Sequence, residues 1–460
     1  MTQFRSAGSI TRPGVSFCLL GVLLAVLWIA GGASRGDVLG QVLVRGVTWA
    51  LLVIALLFVP RPTLADMRPV WFFLLAALAL ALAQLIPLPP ALWQALPGRE
   101  LVARAAALSG EPQPWRPWSM VPGATVNAAS SLVVPVATLL LAAGLSPAER
   151  AWLPGALLGL VAATMLAGLL QFSGSAFNNP LINDTAGEVS GTFANRNHFA
   201  LFMAMGCVLA PAWAFRDGRQ PQWRGPVALG LVLLFALTIL ASGSRAGLAL
   251  GVLGIALGLA IVWQGIRRAL GRYPGWIFPA LIAALVALVA GFVFVSVAAD
   301  RAVAINRAFA IDPGLDMRSR GLPTVLAMIG RYFPAGSGLG GFDPIFRIDE
   351  PFALLKPTYF NHAHNDMLEI ALDAGLPGLL LLAAALTWWA WASLRAWRAG
   401  ASVRHALPKL GSALLLLVIV ASLLDYPART PMMIAMIVLA ACWLGAAAPT
   451  RVTAPLPNND

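Results

Sequence analysis

Residues 246–265 read AGLALGVLGIALGLAIVWQG, an unbroken apolar run of the length that crosses a bilayer. The run contains no charged side chain. Because the hydrocarbon core of a membrane holds no water, a chain that crosses it must satisfy its own backbone hydrogen bonds. A helix does so within one segment, so this stretch predicts a transmembrane α-helix.

The rest of the chain repeats this pattern. Of its 460 residues, 59% are hydrophobic and 11% are charged, whereas a soluble domain carries roughly 25% charged residues. The composition therefore predicts an all-α fold, a polytopic membrane helical bundle that forms a single domain over residues 1–460. About twelve transmembrane helices are predicted, at 15–33, 44–60, 69–87, 130–146, 151–172, 198–215, 226–242, 246–265, 275–298, 366–394, 409–425 and 431–447.

The basic residues between these spans predict the orientation. With the N-terminus in the cytoplasm, 16 basic residues lie inside and 5 lie in short outer segments. Positive residues gather in short cytoplasmic segments, so both termini are predicted to be cytoplasmic. The two longest intervals then face outward. The Pro- and Trp-rich interval 88–129 is predicted to lie at the interface, and 299–365 is predicted to form a large outer loop.

The net charge of +12 does not indicate a nucleic-acid partner. Nearly all the basic residues are arginines in short clusters between apolar runs, the usual place of topology signals, and no aromatic-basic groove accompanies them. The three cysteines, Cys18, Cys207 and Cys442, lie inside apolar runs without metal-ligand or disulfide spacing. They are interpreted as small core residues.

Four polar segments that are distant in sequence fall on the outer side. The first, GTFANRNH at 191–198, opens a predicted span, where Arg196 and the free N–H groups of a helix start suit an anion. Capping with interfacial anchoring is the alternative. The second, SGSRAG at 242–247, places Arg245 at the membrane boundary, where it binds an anion or extends to lipid headgroups.

The third segment contains Arg318 and Arg320 and precedes the glycine-rich stretch 334–342, which permits close approach to a ligand or forms a flexible loop. The fourth, HAHNDMLE at 362–369, opens a helix. One of its two histidines, His362 or His364, is suited to act as a general base near neutral pH. Asn365 either contributes to a site or caps the helix. The ligand count is too small to predict a metal.

These segments together resemble a known family. His364-Asn365, nine residues, Gly375, two residues and Gly378 resemble the histidine motif of the O-antigen ligase and O-antigen (exopolysaccharide) polymerase superfamily of bacterial inner-membrane glycosyltransferases. The segment 191–198, the loop arginine with its glycine-rich turn and the segment DYPARTP at 425–431 resemble it as well. The resemblance covers about residues 185–435. It implies about twelve helices, a large periplasmic loop at 299–365 and an active site on the periplasmic face.

The resemblance also implies an activity and roles for residues. Such proteins transfer glycan from an undecaprenyl-diphosphate-linked donor to a sugar hydroxyl on a glycan or lipid A-core acceptor. They invert the anomeric configuration and need no metal or other cofactor. Carried over by motif, His364 is the catalytic base, Arg245 and Arg318 bind the diphosphate, and Arg196 is a further candidate. Arg320 fits the place of Arg318 equally well.

Two alternatives remain. Leu379 and Leu380 follow Gly378, where lipopolysaccharide ligases often carry paired threonines, so a polymerase is slightly favoured over a ligase. A transporter or flippase of lipid-linked glycan is also a multi-helix bundle. Transporters place ionisable residues near the bilayer midplane, whereas the polar residues here gather on one face. This asymmetry favours a transferase. The sequence makes no prediction of the oligomeric state.

Overall fold

The computed structural model consists almost entirely of helices. It describes residues 13–446 apart from 63, 65–66, 111, 175–178, 184, 186, 217–220, 272–273, 277–278, 281–282, 284–286, 288–316, 356–359 and 400–405. In this part of the chain the α-helices are α1 (Val15–Ala30), α2 (Leu39–Phe58), α3 (Arg68–Ala83), α4 (Pro90–Ala95), α5 (Glu100–Leu108), α6 (Pro122–Ser131), α7 (Val133–Ala143), α8 (Pro147–Phe172), α9 (Arg196–Ala214), α10 (Arg224–Ser242), α11 (Arg245–Leu270), α12 (Met317–Tyr332), α13 (Phe342–Asp349), α14 (Asp366–Arg398), α15 (Ala406–Ser422) and α16 (Pro431–Gly445). Two 3₁₀ turns, Phe352–Leu354 and Pro427–Arg429, and two short paired strands, Pro87–Leu88 and Arg116–Pro117, complete the described elements.

Seven helical segments of the described chain are long and apolar enough to cross a membrane: Leu39–Phe58, Pro122–Ala143, Pro147–Phe172, Arg196–Ala214, Arg224–Ser242, Arg245–Ala269 and Asp366–Arg398. Four shorter apolar helices, α1, α3, α15 and α16, accompany them. The predicted multi-pass helical fold is thereby confirmed. The count of twelve stays a prediction, because the span 275–298 falls largely outside the described residues.

Two helix ends differ from the predicted bounds in a way that matters for the polar residues. Helix α2 begins at Leu39 rather than at 44, so Arg45 lies within its second turn. The helix accommodates this charge because the guanidinium donates to Asn127 and Ser130 of α6. Helix α15 ends at Ser422 rather than at 425, which leaves Asp425 in the following loop.

Helix α9 is the most buried of the seven candidate spans, with 83% of its apolar window inside the protein. A helix that is apolar on all sides is expected in the interior. Two glycines let α11 approach it closely. A Cβ at Gly254 or at Gly258 would lie 2.6 Å from the carbonyl oxygen of Ala204 or of Cys207, respectively. Small residues permit this approach between membrane helices, so α9 and α11 hold each other's starts in place.

The segment 88–129 is tied to the outer loop by Arg99. The guanidinium is buried, and its Nη2 atom donates to the carbonyl oxygens of Trp118, at 2.8 Å, and of Gly336, at 3.0 Å. Burial lowers the pKa of Arg99 to about 10. The final residues of this predicted interfacial segment are helical, since the candidate span Pro122–Ala143 begins inside it.

The described residues of the loop 299–365 form a folded unit with its own apolar core. The buried members of this core are Val325, Met328, Tyr332, Phe342, Ile345, Phe346, Leu354, Phe360 and Leu372. The Phe346 ring stacks on Phe342 at 5.4 Å and on Phe360 at 5.1 Å between centroids. Because Leu372 belongs to α14, this core fixes the loop to the beginning of that helix.

The glycine-rich turn packs directly against a break in α14. Gly375 interrupts the helix with φ 56° and ψ −145°, a conformation that favours glycine. A Cβ at Gly375 would collide with the carbonyl oxygen of Pro334. The N–H of Leu376 donates to that oxygen at 2.9 Å. The glycines therefore serve a close contact between two parts of the backbone.

Candidate active site

Two loops that precede helices meet at the candidate site: the residues before α14 and those between α15 and α16. The Nδ1 atom of His364 lies 3.2 Å from Oδ1 of Asp425. His364 has a positive φ of 51°, which is uncommon for a residue other than glycine. Such strained conformations persist only where the surroundings fix them. The side chain is 19% exposed, so part of the imidazole stays accessible to a ligand.

Asp425 is the centre of this polar network, and its side chain is 3% exposed. Its Oδ2 atom accepts hydrogen bonds from Asn195 at 3.1 Å, Asn197 at 2.5 Å and Arg318 at 3.2 Å. Burial alone would raise the pKa of this carboxyl. The hydrogen bond with His364 and the charges of His198 and Arg318 outweigh burial and hold the pKa of Asp425 well below its usual range. The carboxyl is therefore ionised at neutral pH.

Three membrane helices begin beside this carboxylate. The side chain of Asn195 caps α9, that of Ser244 caps α11 and that of Asn365 caps α14. Their starts are linked, because Ser244 donates to Asn197 at 2.7 Å and Asn197 donates to Asp425. Each helix start carries roughly half a positive elementary charge from the backbone dipoles. Three such starts make this face of the bundle favourable for an anion.

The structure separates the two loop arginines that the sequence left equivalent. Arg318 donates to Asp425 and, through Nη1, to the carbonyl oxygen of Leu424 at 2.9 Å. Arg320 donates instead to the carbonyl oxygen of Ala353 at 2.7 Å, in the loop. Only Arg318 of this pair contacts the Asp425 network among the described residues.

The other two predicted arginines lie at helix starts near the same network. Arg196 is the first residue of α9, and its guanidinium pairs with Glu188 at 2.9 Å. Arg245 is the first residue of α11 and its side chain is exposed. Asn365 donates to the carbonyl oxygen of Leu423 at 2.9 Å and accepts the N–H groups of the first turn of α14. Its contacts are those of a helix cap, the alternative that the sequence left open.

Aromatic rings hold the imidazole of His364 in place. The ring of Phe360 lies 5.1 Å from it and that of Tyr426 lies 5.0 Å from it, between centroids. Phe360 belongs to the core of the outer loop, so the loop positions His364 as well as covering it. Burial raises the pKa of the Tyr426 hydroxyl, which keeps this side chain a neutral phenol.

A second histidine–carboxylate pair lies on Tyr426 as well. The imidazole of His362 is 4.2 Å from the Tyr426 ring, and its Nδ1 atom is 2.8 Å from Oε1 of Glu369. Its Nε2 atom is 3.2 Å from the hydroxyl of Ser34, at the other end of the sequence. His362 and His364, two residues apart, are therefore held by two different carboxylates.

Arg429 balances the carboxylates at the start of α14. Its guanidinium lies 3.2 Å from Glu369, 3.5 Å from Asp373 and 3.6 Å from Asp366. All three carboxylates are buried. Burial would lower the pKa of Arg429, but the three negative charges raise it above its ordinary value. This guanidinium is already surrounded by acids, so it is a structural ion pair rather than a site for a further anion.

Several residues of the network were missed by reasoning from the sequence. Asp425 and Ser244 stand in segments that drew attention as motifs, yet their polar side chains received no role. The sequence signal that could have identified them was the position of all these segments on the predicted outer side of the membrane. In the part of the chain that the structure describes, no group of three His, Cys, Asp or Glu side chains has the arrangement to hold a metal ion.

The fold and the site define a class: a multi-pass helical membrane protein with a polar cluster where three helices begin. Residues 230–383 match the family model described as O-Antigen ligase, which confirms the resemblance to the O-antigen ligase superfamily and indicates a membrane protein of polysaccharide biosynthesis. The matched residues include Arg245, Arg318 and His364, whereas Arg196 and Asp425 lie outside them. No curated protein matches the chain.

Proposed function

We propose that the protein transfers glycan from an undecaprenyl-diphosphate-linked donor to a sugar hydroxyl at the periplasmic face of the bacterial inner membrane. The observation that carries the proposal is the contact of His364 and Arg318 with the same buried carboxylate, Asp425, beside three helix starts. In such an arrangement, a base that can deprotonate a hydroxyl lies next to a region that can bind an anionic leaving group. O-antigen or exopolysaccharide polymerisation and O-antigen ligation both use this chemistry.

His364 acts as the general base in this proposal. The Asp425 carboxylate accepts the proton on Nδ1, which fixes the tautomer and leaves Nε2 with its lone pair. No described residue donates to or accepts from Nε2, so this atom is available to a substrate hydroxyl. As the acceptor oxygen bonds to the anomeric carbon, its proton passes to Nε2. The bond between that carbon and the diphosphate oxygen breaks, and the electron pair leaves with the diphosphate.

The leaving diphosphate gains negative charge during this step, and the site is suited to stabilise it. Arg318 and Arg245 supply guanidinium donors, which bind phosphate oxygens in bidentate fashion and stay charged. The starts of α9, α11 and α14 add oriented N–H groups. Fixed donors aimed at developing charge are the strongest single means of lowering such a barrier. In this proposal the reaction inverts the anomeric configuration, since one displacement occurs, and it uses no metal.

The proposal includes the orientation of the protein in the membrane. Both termini are cytoplasmic, and the loop that contains α12 and α13 is periplasmic. The loop supports this role because its Phe360 packs on His364 and its Arg318 contacts Asp425. In this proposal the loop and the chemistry that depends on it lie on the periplasmic side of the membrane.

The test uses the purified full-length protein with an undecaprenyl-diphosphate-linked repeat unit and candidate acceptors, in buffer containing a chelator. We expect new glycosidic bonds from the wild type, and a loss of at least about 10²-fold in turnover for His364→Ala, as for removal of a general base. His364→Ala with wild-type turnover would show that the base is another residue.

The control variant is Arg104→Ala. Arg104 lies on α5, is exposed and takes no part in the Asp425 network, so this variant should retain wild-type turnover. Movement of the intact lipid-linked glycan from one leaflet of the vesicle membrane to the other, without any new glycosidic bond, would support a flippase instead.

A further inference from the structure

A large cavity is lined by His362 of the His362–Ala363–His364 segment and, among the described residues, not by Asp425. Its volume is about 880 Å³, and helices α2, α3, α6, α7, α13, α14 and α16 contribute to its walls. His362 lines it, whereas His364, Arg318 and Arg245 are absent from its described lining. The cavity is therefore distinct from the region proposed for the donor diphosphate.

One wall of the cavity is apolar and follows a membrane helix. On α14 the lining positions recur every three or four residues, at Ile370, Ala374, Gly378, Leu381, Leu382 and Ala385. Fifteen residue rises of an unbroken α-helix span roughly 22 Å, which is an upper bound here because Gly375 interrupts α14. Phe73, Ala77 and Leu80 of α3 complete this wall. An apolar channel of that length on a membrane helix suits a hydrocarbon chain rather than a soluble ligand.

The other end of the cavity is polar, and Arg45 distinguishes it. Arg45 lies within membrane helix α2 and lines the cavity. Its Nη1 atom donates to Asn127 at 2.7 Å and to Ser130 at 3.1 Å, whereas its buried Nε atom has no hydrogen-bond partner. No carboxylate pairs with it among the described residues. An arginine inside a membrane span is costly unless an anion or another polar partner compensates it.

The remaining cationic side chains of the lining are already paired. Arg35 pairs with Asp37, and Arg347 pairs with Asp343 at 2.7 Å. Arg429 is surrounded by the three carboxylates of α14. Arg45 is therefore the guanidinium of this lining that remains to neutralise an anionic ligand.

His362 supplies the second polar feature of the cavity. Its Nδ1 atom is held by Glu369, and its Nε2 atom lies 3.2 Å from the hydroxyl of Ser34. Both His362 and Ser34 line the cavity. The structure thus shows an alcohol oxygen within reach of this imidazole, a position that a sugar hydroxyl of a bound ligand occupies equally well.

We propose that this cavity binds the acceptor substrate as a lipid, with its hydrocarbon chain along α3 and α14, its phosphate on Arg45 and its sugar directed towards His362. The proposal rests on the proposed glycan transfer. It assigns the acceptor to the side of His362 and the donor to the side of His364. Both imidazoles contact the ring of Tyr426, so an acceptor sugar held by one hydroxyl at His362 presents another to Nε2 of His364. A lipid A-core glycolipid and a polyprenyl-diphosphate-linked glycan share this chemistry, a phosphate on a lipid.

The kinetic test compares wild type, Arg45→Ala and Arg45→Lys at varied concentrations of each substrate. We expect Arg45→Ala to raise the acceptor concentration for half-maximal rate at least about tenfold, the effect of losing a charge-assisted contact. The donor concentration for half-maximal rate should stay unchanged, and Arg45→Lys should restore part of the loss. Two acceptor series, a lipid A-core glycolipid and an undecaprenyl-diphosphate glycan, identify the source of the phosphate. An equal effect on donor and acceptor, or none, overturns the proposal.

A binding test examines the lipid site independently of the proposed glycan transfer. Farnesyl phosphate and uncharged farnesol are titrated against the purified full-length protein without donor. We expect wild type to bind the phosphate at two sites, the proposed donor region and this cavity, with a preference over farnesol of at least about tenfold, and Arg45→Ala to lose the preference at one of the two. If wild type forms no glycosidic bond yet shows this preference, the transfer function fails and the lipid site stands. Equal competition by phosphatidylglycerol would show an ordinary membrane lipid in the cavity and overturn the proposal.

Discussion

The imidazole of His364 and the carboxylate of Asp425 are 3.2 Å apart, although 61 positions separate them in the chain. The same carboxylate receives Arg318 from the outer loop and two asparagines from the start of α9. Asp425 therefore positions the proposed base and one proposed diphosphate-binding residue together. A change in this one side chain alters both parts of the site.

Replacement of Asp425 by asparagine tests this positioning role. An amide cannot hold the Nδ1–H tautomer of His364 as a carboxylate does, so we expect turnover to fall by about 10²–10⁴-fold. Asp425→Glu should recover part of the activity, because it keeps the charge. Turnover is measured with saturating donor and acceptor, and the thermal unfolding of each variant in detergent shows whether it is folded. Asp349→Asn, at an exposed ion pair with Arg331, serves as the matched control. Full activity in Asp425→Asn would contradict the role.

The two loop arginines provide a matched pair of variants. Arg318→Ala removes donors next to Asp425, and we expect the rate of transfer to fall by about 10²–10³-fold, as for loss of a donor to developing charge. Arg320→Ala removes only a contact with the carbonyl oxygen of Ala353, and its rate should stay near that of the wild type. Initial rates with the lipid-linked donor decide between them. A larger loss in Arg320→Ala than in Arg318→Ala would reverse the assignment.

Gly375 provides a test of the contact between the outer loop and α14. Alanine there combines a positive φ with a collision against the Pro334 carbonyl oxygen, so we expect a loss of stability of at least about 1–3 kcal/mol. Gly159→Ala is the control, because Gly159 is exposed within α8 and a Cβ there meets nothing within 4 Å. The control should be neutral or slightly stabilising. Unfolding of both variants in detergent is followed by heat or denaturant, and equal stability of the two would show that the contact is unimportant.

Arg429 provides a test of the buried charge balance. Arg429→Met leaves three carboxylates without their cation, and removal of one partner of a buried pair costs about 3–5 kcal/mol. We expect poor recovery of folded protein and a lower unfolding midpoint. Adding Asp373→Asn to Arg429→Met removes one uncompensated charge and should recover part of the loss. The unfolding midpoint and the monodispersity of the purified protein are measured, and a fully stable single variant would contradict this account.

Much of the membrane bundle is predictable from the sequence. The predicted span 151–172 corresponds to Pro147–Phe172, and 226–242 corresponds to Arg224–Ser242. Each of these spans is a single apolar run. The capping residues at the starts of α9, α11 and α14 can be predicted from the few residues around each helix start. Arg45 lies at the edge of the predicted span 44–60, whereas α2 begins six positions before it, at Leu39, and encloses it. Its partners Asn127 and Ser130 lie more than eighty positions away.

The sequence by itself determined the helices that cross the bilayer and the polar segments at their starts. Backbone hydrogen bonds within a helix are local, and the preference for lipid belongs to the run of side chains itself. The tertiary structure decided which polar side chains meet. Arg318 and Arg320 are chemically identical, but residues two positions apart on a helix point to different faces, and only the packing of α12 turns Arg318 towards Asp425. The cavity at Arg45 depends on tertiary packing in the same way, since seven separate helices contribute to its walls.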